Sequence, residues 1–213
     1  MNRTTVIGID SGLNSTGVVI MYADDFSVVY EGAIRQPGAA LGKIDRILST
    51  CADLERIIRE CVPVGTLVSA VTEYHALHIS RKSNRLHDIG MIDGNIYALL
   101  KRLGIQWAEV HPNDIKLFAC GVRRIKGKGD KKKEPIMLAV LTQWGRDYTN
   151  CYGGDDIADA YIMARMGAVA LNAANTGMVE ESGDTKLSSL VGIMNSFSVP
   201  TAYGRIKNVA RGR

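Results

Sequence analysis

Three apolar runs of strand length precede the first stretch of helical periodicity, and that order limits the possible folds more than any other feature of the chain. Residues 4–10 (TTVIGID) form a short apolar run ending in an acid, and residues 17–21 (GVVIM) follow a turn-rich stretch. The turn Tyr22-Ala23-Asp24-Asp25 then leads into residues 27–34. Strands joined by such short connections pair antiparallel. After Pro37-Gly38 the period changes. Leu41, Ile44, Ile47, Leu48, Cys51, Leu54, Ile57, Ile58 and Cys61 recur at helical spacing and predict an amphipathic helix. Residues 66–73 read as a near-continuous apolar strand ending in Glu73, suited to burial on both faces. A helix over about 84–103, a strand over 105–110, a helix capped by Asn113, a helix opening at Pro135 and a last helix from Gly153-Gly154-Asp155-Asp156 to Leu171 complete the pattern. Strands first, then strands alternating with helices, give an α/β fold whose mixed five-stranded sheet has an antiparallel edge.

Composition agrees with one folded domain and little else. With 46% hydrophobic and 23% charged residues in 213, the chain falls outside the disordered, collagenous and disulfide-scaffold classes. Residues 1–175 are expected to form the domain. Residues 176–213, rich in Ser, Gly and Thr, are expected to form a poorly packed basic tail, partly ordered at best. No run approaches the roughly 18–20 apolar residues of a membrane span, and the polar start MNRTTVIGID lacks the apolar core of a secretory signal, so no membrane partner and a cytoplasmic location are expected. Cys51, Cys61, Cys120 and Cys151 include no C-x-x-C pair, which favours reduced, mostly buried thiols over structural zinc.

The net charge of +4 hides a segregation. Residues 123–133 hold seven bases (Arg123, Arg124, Lys126, Lys128, Lys131, Lys132, Lys133) against the single acid Asp130, and residues 182–213 hold five bases against Asp184. The rest of the chain is therefore acidic. Basic patches on an acidic body suit a protein that neutralises a polyanion along one face and keeps carboxylates for another task. A solvated loop explains such a run equally well on charge alone.

Asp10 and Glu73 each end an apolar strand, the place where ligand-binding residues collect in open α/β sheets. Asp156 and Asp159, three apart, share one face of the last helix over its first turn. Favourable interaction with the helix N-terminus accounts for an exposed pair. This helix, however, is apolar almost all round, so its acids lie at the edge of a core and call for a cation. Four clustered carboxylates suit divalent magnesium, which takes oxygen ligands and leaves positions for water and phosphate. Two such ions can activate an attacking water and stabilise a leaving oxygen at phosphorus.

Gly8-Ile9-Asp10-Ser11-Gly12-Leu13-Asn14-Ser15-Thr16-Gly17 resembles the opening G-I-D-P-G-x-x-x-T-G of the RuvC family of Holliday junction resolvases. Val71-Thr72-Glu73 resembles that family's strand-end Glu, and Asp156-Ile157-Ala158-Asp159-Ala160 its closing D-x-x-D-A, in the same order and over residues 4–171. The resemblance implies a ribonuclease H-like fold and a crossover junction endodeoxyribonuclease, a hydrolase that resolves four-way DNA junctions by paired symmetric nicks. It further implies Asp10, Glu73, Asp156 and Asp159 as catalytic ligands of two Mg²⁺ per site, with Mn²⁺ as a substitute, although adjacent Asp155 can take the place of Asp156. Lys116 resembles a family lysine near the DNA backbone. Gly127-Lys128-Gly129 followed by Lys133 resembles a family G-x-G-x-x-x-K segment, which makes Lys133 the catalytic cation, with Lys131 and Lys132 as alternatives. DNA-binding residues are then Lys116, Arg123, Arg124, Lys126, Lys128, Lys131 and Lys132.

A homodimer through the second helix, by way of Leu86, Ile89, Met91, Ile96, Tyr97 and Leu100, is implied as well, and core packing explains much of that stripe. Departures from the family are Ser11 in place of Pro, a longer basic stretch before Gly127, and no in-register aromatic after the Glu. Tyr74 and His75 stand nearest to it. Alternatives are a nuclease of the same fold acting on forks or flaps, and a non-catalytic junction-binding protein, whose mark would be a missing carboxylate. A sugar kinase or actin-like ATPase needs a second domain and a second phosphate loop that this chain lacks.

Overall fold

Alternation along the strands sorts the apolar residues onto two faces of one sheet, and each face takes its own helices. The computed structural model describes residues 3–36, 41–75, 84–125 and 134–176, together with positions 190, 193 and 196. In chain order the elements are β1 (Thr4–Asp10), β2 (Ser15–Tyr22), β3 (Val28–Arg35), α1 (Lys43–Cys61), β4 (Leu67–Glu73), α2 (Asn84–Arg102), β5 (Gln106–Val110), α3 (Pro112–Cys120), α4 (Glu134–Trp144) and α5 (Gly154–Thr176). The sheet runs β3-β2-β1-β4-β5, antiparallel through β3, β2 and β1 and parallel from β1 through β4 to β5. This is the mixed five-stranded sheet that the element order predicts.

Ile7, Ile9, Val18, Ile20 and Ala70 face α1 and α2, where Ile47, Leu54, Ile92, Ile96 and Leu100 meet them. Val6, Val19, Met21, Val71 and Ala108 face α3, α4 and α5. The α5 helix lies directly on the sheet, because two glycines leave room for its backbone. A Cβ at Gly8 would collide with the Ala160 carbonyl, and one at Gly17 with the Asp156 carbonyl. Alanines at 158, 160, 164 and 168, all fully buried, keep the helix side of that contact thin. Buried on nearly every side, α5 carries its acids in its first two turns, Asp155 and Asp156 in the first and Asp159 in the second.

Several local expectations change. The cap of α3 is His111, whose Nδ1 accepts from the Asn113 amide at 3.2 Å, because Pro112 takes the first helical position. None of the cysteines is fully buried: Cys51, Cys61 and Cys120 are half-buried and Cys151 is exposed, all as free thiols. Leu190 and Ile193, in the segment expected to pack poorly, are helical and buried in the α5-side core. No described helix is long and apolar enough to cross a membrane.

Candidate active site

The register of three strands gathers the predicted carboxylates. Ile9 pairs with Thr72 across parallel β1 and β4, so the next step places Asp10 beside Glu73, both at carboxyl ends. Asp10 follows Val6 and Gly8 in alternation, and Glu73 follows Val71, so both project onto the face that α5 covers. Asp10 also pairs with Gly17, over which the Asp156 carbonyl sits. The first turn of α5 thus begins directly across from Asp10, and Asp156 and Asp159 share the helix face of that turn.

One wall comes from α3, where Lys116 and Cys120 stand four apart on one face. Burial pushes the Glu73 carboxyl above its ordinary range, opposed by the positive fields of His75, Lys116 and His111 and reinforced by Asp93. Burial also raises the Cys120 thiol, with the negative field of Asp159 adding to it. Lys116 therefore stands within electrostatic reach of Glu73, and Asp159 of Cys120, so α3 follows the site from one pair of acids to the other. The Asp159 Oδ1 atom is buried.

Sequence reasoning misses a second layer. Asp93 of α2 is 6% exposed, accepts a hydrogen bond from Ser11 Oγ and lies 3.0 Å from His75 Nδ1 through its other oxygen. That bond holds the His75 pKa above its usual value against the opposing effect of burial. One carboxylate thus ties the residue after Asp10 to the segment after Glu73. The signal was present: Asp93 interrupts the stripe Ile89, Ile96, Leu100 at helical spacing, where an apolar residue is expected. Tyr74 lies against His111, ring centroids 6.3 Å apart, and donates its backbone N–H to Val110, so both positions nearest the missing aromatic have partners within the fold.

Of the expected DNA-contacting bases, Arg123 pairs with Asp114 at 2.9 Å and Arg124 is exposed. Lys126, Lys128, Lys131, Lys132 and Lys133 lie outside the described residues. On α2, Ile96 and Leu100 are consumed by the chain's own core, Tyr97 stacks on Trp107 and donates to Glu109 at 2.7 Å, and Ile89 and Met91 stay half-buried.

Among the described residues, no three His, Cys, Asp or Glu side chains form a ready-made metal cage. The predicted donor set nevertheless fits a hard divalent cation, because it offers carboxylate oxygens alone and brings Glu73, disfavoured as an anion by burial, beside further acids. Rotation of these side chains onto an ion is what binding requires.

No protein-family model and no curated protein sequence matches the chain. Among solved structures, RuvC from Thermus thermophilus is similar with a TM-score of 0.58 at 16% identity, covering 81% of this chain and 96% of its own. RuvC of T. thermophilus in complex with a Holliday junction substrate gives a TM-score of 0.60 at 14% identity over the same shares. At these identities the likeness shows the fold, and the chain has the ribonuclease H-like α/β fold of RuvC.

Proposed function

We propose that the chain is a metal-dependent, structure-selective DNA endonuclease that resolves four-way junctions by paired nicks. The observation that carries this reading is the placement of Asp10 and Glu73 side by side at parallel strand ends, facing the first turn of α5 with Asp156 and Asp159, in a chain with the RuvC fold. The T. thermophilus protein of that fold has been seen holding a Holliday junction, which makes a branched duplex the substrate to test first.

Asp10, Glu73, Asp156 and Asp159 would hold two Mg²⁺, or Mn²⁺ in their place. Bound there, the ions would supply activation of the attacking water and stabilisation of the leaving oxygen. The chain's own residues do the rest. Glu73, kept partly from solvent, holds its place through β4 pairing on both sides. Lys116 presents a cation beside the acids, where it offsets their charge and attracts a phosphate. Asp93 fixes Ser11 and His75, and so the two strand ends, relative to α2. Lys133 is the proposed cation against the developing charge, where a group acts mainly on the rate.

A homodimer would set two such sites on opposed strands of a junction. Support for it comes from the exposed apolar side chains of Leu41, just before α1, and Ile44 and Leu48, in its first turns, where the Lys43–Asp88 ion pair at 2.7 Å joins α1 to the start of α2. Incubation with a synthetic four-way junction is the test. Symmetric nicks with 5′-phosphate ends in magnesium, and none in calcium, support the reading. Cleavage of forks and flaps at an equal rate would make the enzyme a broader branched-DNA nuclease. Tight junction binding without cleavage in any metal would make it a binding protein.

A further inference from the structure

The sheet edge that carries the carboxylates continues past them on the β3 side, and there, among the described residues, it holds arginines without a carboxylate partner and several unpartnered polar atoms. Several arginines elsewhere are neutralised: Arg3 by Asp24, Arg56 by Asp53, Arg59 and Arg102 by Glu55, and Arg146 by Glu31. Arg35, at the end of β3, and Arg46, in the first turns of α1, have no carboxylate partner among the described residues. The Arg35 guanidinium lies 4.6 Å from the ring centroid of exposed Tyr152, which positions it without cancelling its charge. Arg46 donates to the Asn14 side chain at 2.8 Å, and its Nε is buried without a partner. Gln36, only 3% exposed, donates its backbone N–H to Asn14, while both polar atoms of its side chain lack partners among the described residues. Ser15 Oγ is buried and unpartnered as well. Such groups are rare in a settled interior.

This edge is continuous with the carboxylates. Ser15 pairs with Arg35 across β2 and β3. A Cβ at Gly153 would lie 2.7 Å from Ser15 Oγ and 3.5 Å from Asp156 Oδ2, so one backbone position separates the unpartnered hydroxyl from an acid of the site. Along the edge the order is Arg35, Ser15, Asp10, Glu73 and then α3 with Lys116. Cations therefore flank the carboxylates on both sides.

We infer that Arg35 and Arg46, with Tyr152 as the support of Arg35 and Asn14 as that of Arg46, form a second backbone-binding subsite that takes the phosphates of the DNA strand on the β3 side of the carboxylates, opposite Lys116, with the buried Ser15 and Gln36 side chains behind them. The inference rests on the proposed nuclease reading for its ligand. Guanidinium forks suit phosphate oxygens, and contacts of this kind hold a strand in place without reading its bases.

The experiment measures junction binding in EDTA as a function of salt, apart from cleavage in magnesium. Each phosphate contact removed lowers the slope of log affinity against log salt by about 0.9. Exposed Arg35→Gln lowers the slope by about one such step, and Arg35→Gln with Arg46→Gln by about two, equally on junctions of different sequence. Tyr152→Ala lowers it with Arg35 present, whereas Tyr152→Phe does not. Arg59→Gln, at an arginine already paired, leaves it unchanged. Because Arg46 is half-buried, Arg35→Gln alone decides: an unchanged slope in that folded variant overturns the subsite even if the junction is cleaved. A reduced slope in a chain that never cleaves supports the subsite and overturns the catalytic reading. No junction binding by the unaltered chain overturns both.

Discussion

Strand β1 carries a charged cluster at each end, and the two are built on opposite terms. At its start, Arg3 lies 3.6 Å over the Tyr22 ring and pairs with Asp24 at 2.9 Å and with Asp25. Asp25 in turn accepts from the Ser27 amide at 2.9 Å and from the Ser27 hydroxyl. These charges meet their complements within the β2–β3 turn, so the cluster needs nothing from outside. At the other end of the strand, Asp10 stands beside a carboxylate whose ionisation burial opposes, and Ser15, Gln36 and Arg46 keep buried polar atoms without partners. A polar group unmet inside a fold costs about 1–3 kcal/mol. The first cluster therefore serves the fold, and the second bears its cost for the sake of a ligand.

The largest expected effect breaks the second cluster chemically. Glu73→Gln should lower junction cleavage by about three orders of magnitude, since several kcal/mol of transition-state stabilisation depend on the carboxylates. The same variant should fold with equal or greater stability at neutral pH. A carboxyl whose pKa is raised on folding binds protons longer in the native than in the unfolded chain, so its ionisation opposes folding as pH rises, and glutamine removes that opposition. Cleavage is followed under single turnover and stability by thermal melting.

Next is Gly8→Ala, which attacks the contact that brings α5 to the site. The added methyl meets the Ala160 carbonyl and must displace a helix backbone rather than a side-chain tip. A loss of about 3 kcal/mol is expected from such overpacking, or about 6–12 °C in melting temperature for a chain of this size. Asp93→Asn follows. It leaves the four acids in place but weakens the tie between Ser11 and His75, and cleavage should fall about 10–100-fold, the usual cost of losing the groups that orient metal ligands. Junction affinity in EDTA should stay unchanged, which separates positioning from binding.

The smallest effect belongs to the satisfied cluster. The Ser27 hydroxyl and amide, then Arg3, hold the Asp25 carboxyl down at about 2. Its contribution to stability is present above the ordinary carboxylate pKa near 3.8 and is lost as pH falls through about 2. Asp25→Asn should therefore flatten the acid limb of the melting curve slightly between those values and leave cleavage untouched.

How much of this was legible in the sequence differs between backbone and side chains. Strand ends were readable because an acid closing an apolar run marks both the end of burial and the start of the site, as at Asp10 and Glu73. Helix α5 is readable because its apolar surface leaves only its first two turns for acids. The cap of α3 is His111 and not the Asn113 that the sequence suggests, since a histidine accepting through its ring nitrogen has weak propensity and Pro112 takes the first helical position. The Ser11–Asp93–His75 tie joins three separate segments, and no local pattern shows which side chain an isolated buried acid will meet. The unpartnered groups at Ser15, Gln36 and Arg46 are visible only once packing excludes water from them.

The most direct measurement sets the two ends of β1 against each other in one pair of variants. Asp10→Asn and Asp25→Asn each remove one negative charge from one end of the same strand, and both are assayed for junction cleavage in magnesium and for melting at neutral pH. The expected result is that Asp10→Asn loses cleavage while junction binding and melting temperature hold or rise, and that Asp25→Asn cleaves at the unaltered rate. Full cleavage by folded Asp10→Asn, or loss of its stability in step with its activity, would contradict it.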